Sequence, residues 1–160
     1  MPNRNVVVAA LFGAVLLVGC VDKPKATKFR GIYLGQTLDE MNAALVAERT
    51  DFKAVEEGEP NEIQIVNIKT GHVCGNRYLI KDLEWEWLTL QACFFDLPEK
   101  IPLQDFKTHI ASMTRISLKP QDDDYVGISQ FGERIKVMAV IYPGVTIDRP
   151  KDLGTGTLEQ

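Results

Sequence analysis

Tyr78–Phe95, YLIKDLEWEWLTLQACFF, is the longest run of aromatic and aliphatic residues in alternation with polar ones, and its reading decides the fold. From Leu83 to Trp87 the odd positions are apolar and the even ones are glutamates, whereas from Leu88 to Phe94 the apolar positions are even. A period of two marks a β-strand with one face buried. A change of parity inside the run predicts a bulge, or a strand buried on opposite sides at its two ends. Trp85 and Trp87 fall on one side, with Glu86 expected to point outward between them. Two environments suit these rings: a core contact with a helix, or an exposed platform for a protein or glycan partner.

The segments flanking this run alternate between helical and extended patterns. In GQTLDEMNAALVAE, Gly35–Glu48, Thr37 and Glu40 form a capping box, and Leu38, Met41 and Leu45 recur at helical spacing. A helix over Leu38–Glu48 is expected, its apolar stripe lying on a sheet. VEEGEPNE, from Val55, breaks the pattern, and the isoleucines of EIQIVNIK, from Glu62, restore an extended one. Thr70-Gly71 and Gly75-Asn76 read as turns. Downstream, IPLQDFKTHIASM carries Leu103, Phe106, Ile110 and Met113 as the stripe of a second helix, with Pro102 in its first turn.

Asp122-Asp123-Asp124 reads as a solvated turn, because neither the glycine nor the glutamate of a calcium loop follows at the required spacing. YVGIS and RIKVMAVIY, starting at Tyr125 and Arg134, read as strands, the second near the middle of a sheet. The order is helix, strands, helix, strands. It predicts an α+β domain, two helices packed on one face of a mainly antiparallel sheet, with room for two helix-plus-strands halves. From Pro143 onward the periodicity fades and glycine, proline and threonine accumulate, so a flexible tail is expected over 146–160.

The amino terminus is of a different kind. Arg4 and the free amine precede fourteen apolar residues, Val6–Gly19, and Asp22, Lys23 and Lys25 follow. A helix needs about 20 apolar residues to cross a bilayer, so the run suits a signal peptide better than a membrane span. Leu17-Val18-Gly19-Cys20 resembles the lipobox of bacterial lipoproteins. The resemblance implies removal of residues 1–19 and a diacylglyceryl thioether on Cys20, commonly with an acyl chain on the new amino group. It also implies a lipid-anchored, periplasm-facing protein of the cell envelope. Val21 in place of the aspartate that retains many such proteins in the inner membrane leans toward the outer membrane. The expected division is a signal peptide over 1–19, a lipidated tether over 20–30, one domain over 31–145, and the tail.

Without residues 1–19 the chain carries 17 basic and 22 acidic side chains, a net −5. No stretch interleaves lysine and arginine with aromatics, so nucleic acid is not an expected partner. With Cys20 taken by lipid, Cys74 and Cys93 remain, an even pair in a compartment where disulfides persist. Were Lys81-Asp82 a tight hairpin turn, Cys74 would lie opposite Thr89. Bonding to Cys93 then needs Cys74 in a loop, or a bulge in the following strand.

GIYLGQTLDEM, Gly31–Met41, is similar to the entry into the first helix of small envelope lipoproteins of the BamE/SmpA type. That likeness implies an accessory role in an envelope complex. Signals for catalysis are scarce: no nucleophile elbow or phosphate loop is present, His109 flanks a helix stripe, and His72 near Cys74 lacks further ligands at zinc spacing. No catalytic residue, metal or cofactor is assigned. The expected activity is protein binding by an envelope accessory, with an immunity-like inhibitor of a toxin, enzyme or phage factor, or a small periplasmic hydrolase, as alternatives.

Overall fold

The computed structural model describes residues 25–56, 61–80, 85–139 and 142–149. The signal segment 1–19, Cys20, the Lys81-Asp82 pair, Leu83 and residues 150–160 lie outside the described residues. Eight strands form one antiparallel sheet: β1 Phe52–Glu56, β2 Glu62–Asn67, β3 Val73–Ile80, β4 Trp85–Gln91, β5 Lys119–Gln121, β6 Asp124–Ile128, β7 Arg134–Ala139 and β8 Pro143–Asp148. Helices α1, Leu38–Ala47, and α2, Leu103–Thr114, complete an α+β domain. None of the described helices is long and apolar enough to cross a membrane.

The strand order is β1-β2-β3-β4-β8-β7-β6-β5. Each half is thus a helix followed by a four-stranded meander, and the halves join where their last strands, β4 and β8, pair antiparallel. Sequence neighbours pair within each half, so one long-range junction closes the sheet.

α1 forms where its capping box predicts. The Thr37 hydroxyl accepts from the Glu40 amide at 3.3 Å, and the Glu40 carboxylate accepts from the Thr37 amide at 2.7 Å. Such a cap contributes about 1 kcal/mol by satisfying amides that no helical carbonyl reaches. Met41 and Leu45 turn the helix onto the sheet. Asn42 fastens it to the edge strand, donating to the Ala54 carbonyl at 3.0 Å and accepting from the Ala54 amide at 2.8 Å. These bonds use backbone groups that an edge strand otherwise exposes to foreign pairing. In α2, Phe106 and Ile110 are fully buried, but Met113 of the expected stripe, in the last turn, is exposed.

One core serves both halves. Phe52, Ile65, Leu88, Leu90, Val145, Ile147, Ile135 and Val137 share the covered face and meet Met41, Leu45, Phe106 and Ile110 of the two helices. Burying each large side chain contributes about 1.5–3 kcal/mol. Phe29, Phe94 and Phe95 join this core, with Phe95 edge-on to Phe29 and to Phe106 of α2, each at 5.8 Å.

Several expectations are corrected. The parity change near Leu88 is not a bulge: β4 pairs without a register shift with both β3 and β8, Leu88 and Leu90 are buried on the covered face, and Trp85 and Trp87 stand half-buried on the other. Glu86 does not point outward. It shares the helix-covered face with Leu88 and Leu90, accepts from the Gly35 amide at 2.9 Å and pairs with Arg77. Gly75-Asn76 is not a turn but lies within β3, where Gly75 leaves no room for a Cβ against the Thr89 carbonyl and Leu90. The bulge is in β3 itself: Ile65 faces Gly75 and Val66 faces Val73, leaving Cys74 as the extra residue.

The folded unit exceeds both expected boundaries. Ala26, Thr27 and Phe29 are buried, so the carboxyl-terminal part of the expected tether belongs to the domain. The expected tail begins within β8, whose Val145 and Ile147 are core residues between β4 and β7. β1 was not anticipated. Its FKAVE pattern is short, and its pairing with β2 and contact with α1 establish the strand.

Candidate functional site

Alternation along the strands assigns the remaining side chains to the other face of the sheet, which no described helix covers. Cross-strand register sets these residues in rows. Glu62, Tyr78, Trp87, Asp148, Arg134 and Ile128 stand side by side from β2 to β6, and Gln64, Asn76, Thr89, Thr146, Lys136 and Val126 form the adjacent row.

An aromatic cluster occupies the β3–β4 part of this face. The Tyr78 and Trp87 rings stack at 4.9 Å with 22° between their planes, and Trp85 meets Trp87 at 4.7 Å. All three side chains are half-buried, and Ile80 beside them is partly exposed. Trp85 and Trp87 are therefore neither core residues under a helix nor isolated surface rings. They pack on each other and keep ring area at the surface, an arrangement worth about 0.5–1.5 kcal/mol per ring pair beyond burial. The Tyr78 hydroxyl donates to the Glu62 carboxylate at 2.9 Å, holding its ring in the stack.

Across β8 the surface turns polar. Arg134 grips Asp148 with two parallel hydrogen bonds, Nε to Oδ1 at 3.0 Å and the second through a terminal nitrogen. The bond to Asp148 and its charge raise the Arg134 pKa above its ordinary value, against the opposing effect of burial. Thr89 and Thr146 pair at 3.2 Å between β4 and β8, and Lys136 bridges to Asp124 at 2.8 Å. Asn76 Oδ1 is buried without a hydrogen-bond partner among the described residues. The face thus offers stacked rings, amides, hydroxyls and a fixed guanidinium. That combination suits recognition of a surface by apolar contact and hydrogen bonding.

The other residues singled out by the sequence lie elsewhere. Cys74 and Cys93 are disulfide-bonded, with Cα atoms 5.6 Å apart. Cys93 reaches its partner from a turn of 3₁₀ helix, Ala92–Phe95, that curls back past the end of β4. Here Cys74 lies beyond the Gly75–Leu90 pair, not opposite Thr89. His72 is exposed in the β2–β3 connection, 3.7 Å from the Glu99 carboxylate, and His109 sits edge-on to Phe95 at 5.8 Å. The structure brings neither histidine to the aromatic cluster. Among the described residues no three His, Cys, Asp or Glu side chains are grouped to hold a metal ion. Sequence reading found Trp85 and Trp87 but missed Tyr78, Arg134 and Asp148, which join them only through strand register.

Comparison with known protein families, with curated proteins and with solved structures finds no match to this chain.

Proposed function

We propose that this protein is a bacterial envelope lipoprotein, held at a membrane by lipid on Cys20, whose domain binds a protein partner on the helix-free face of its sheet. The observation that carries the binding role is the aromatic cluster of Tyr78, Trp85 and Trp87 on a face that no described helix covers. Rings that are already packed lose little conformational freedom when a partner covers them, which favours binding. The Cys74–Cys93 disulfide supports an oxidising compartment such as the periplasm. The lipobox Leu17–Cys20 supports the anchor, and two or more acyl chains give stable membrane attachment.

In-cell crosslinking of the tagged protein, followed by identification of copurifying proteins, tests this reading. Intact mass is expected to show loss of residues 1–19 and added lipid. One stoichiometric partner is expected with the wild type, reduced by Trp85→Ala/Trp87→Ala and by the unanchored Cys20→Ala. An unmodified full-length mass overturns the anchor. A partner retained in full by the double tryptophan variant overturns the site.

A further inference from the structure

We propose that the end of the domain formed by residues 25–28, the last turn of α2 and the β6–β7 connection lies against the anionic phospholipid surface to which the protein is anchored. This rests on the reading of Cys20 as the lipid-bearing residue.

Chain length limits where the anchor can be. Ala26 follows Cys20 by six residues. At about 3.3–3.6 Å per extended residue, the two Cα atoms are at most about 22 Å apart. There is no slack beyond Ala26, because the next residues are fastened to the domain. Ala26 and Thr27 are buried, and the Thr27 amide donates to the Glu133 carboxylate at 2.8 Å. The Ser129 hydroxyl donates to the same carboxylate at 3.0 Å, and Arg149 lies 3.7 Å from its other oxygen. Glu133 is fully buried, so its carboxylate ties the amino-terminal segment to the β6–β7 connection away from water, with the exposed Arg149 guanidinium alongside. An acyl anchor on Cys20 therefore keeps this end of the domain close to the lipid.

The surface there is suited to that position. Two adjoining cavities, about 480 and 460 Å³, share Ser117 and Ile128. Lys28, Arg115 and Lys119 line them without a carboxylate, and Asp122 and Asp124 lie in a smaller cavity beside the second, with Arg134 and Lys136. Met113 and Ile128 add exposed apolar side chains, 42% and 60% accessible. Cations that meet phosphates, beside apolar groups that reach the acyl boundary, are what an anionic bilayer recognises. Each cation near such a surface is worth about a fivefold change in association. Ile128 also stands in the row of Arg134, Asp148 and Trp87, so the aromatic cluster lies toward the bilayer end of the open face.

The test uses lipidated protein carrying a fluorophore on Ile128→Cys or, beyond the opposite end of α2, on Lys100→Cys. It is reconstituted in vesicles of phosphatidylethanolamine and phosphatidylglycerol containing a headgroup nitroxide lipid. Quenching at position 128 is expected to exceed that at position 100 severalfold. Lys28→Glu/Arg115→Glu/Lys119→Glu, or phosphatidylcholine in place of phosphatidylglycerol, should narrow that difference to what the tether alone imposes. Equal quenching in wild-type protein that carries lipid and floats with the vesicles overturns the orientation and leaves the anchor standing. Protein that carries no lipid and does not float overturns both.

Discussion

The two faces of the sheet are made by the same strands yet differ in what their side chains do. On the covered face, Leu88, Leu90, Ile135, Val137, Val145 and Ile147 are sealed beneath two helices, and their contribution is area removed from water. On the open face, Tyr78, Trp87, Asp148 and Arg134 are joined by ring stacking and charged hydrogen bonds, and all but the buried Asp148 remain accessible. One residue of register separates the two roles. Stability is concentrated on one face, which leaves the other able to present rings and polar groups without the domain depending on them.

The largest test of that contrast compares one aromatic ring from each side. Phe106→Ala removes a fully buried ring beneath the sheet and should cost about 3–5 kcal/mol in denaturant unfolding. Trp87→Ala should cost less, about 2–3 kcal/mol, from two ring contacts and partial burial. Equal losses would mean that the open face is a second core.

The disulfide offers a test of intermediate size. Cys74 and Cys93 are 19 residues apart, and removing the bond with Cys74→Ala/Cys93→Ala should lower stability by about 3 kcal/mol. Because the bond lies at the end of β4 remote from Trp85, binding on the aromatic face should persist wherever the variant remains folded. Loss of binding in a folded variant would show that the disulfide shapes the site.

A pair of nearly isosteric exchanges gives the smallest effects and the sharpest contrast. Val137→Thr puts a hydroxyl in the sealed core and should cost about 1–3 kcal/mol. Thr146→Val, on the opposite face of the neighbouring strand, removes the Thr89 contact and should stay within about 0.5–1 kcal/mol. Chemical denaturation of both variants checks the order, and its reversal would break the assignment of faces.

Local signals made much of this legible. Thr37 and Glu40 act within one helical turn, and Phe106 and Ile110 are on adjacent turns, so α1 and α2 are written in residues close in sequence. The same holds for β2, β6 and β7, whose short patterns survive in the fold. The aromatic site was half legible: Trp85 and Trp87 share a side by alternation, whereas Tyr78 joins through β3–β4 register.

Two helices, an antiparallel α+β architecture and the pair of cysteines were readable before any fold, because these follow from spacing along the chain. Tertiary structure alone decided that Pro143–Asp148 is a strand beside β4, that Ala26 and Thr27 belong to the domain, and that Glu86 faces the helices while the tryptophans do not. The physical reason is separation. Trp87 pairs with Asp148, and Thr27 bonds to Glu133 106 positions away, so neither partner is visible in the other's local pattern. Only the assembled sheet, with a helix over each half of one face, settles which side of an alternating strand is dry.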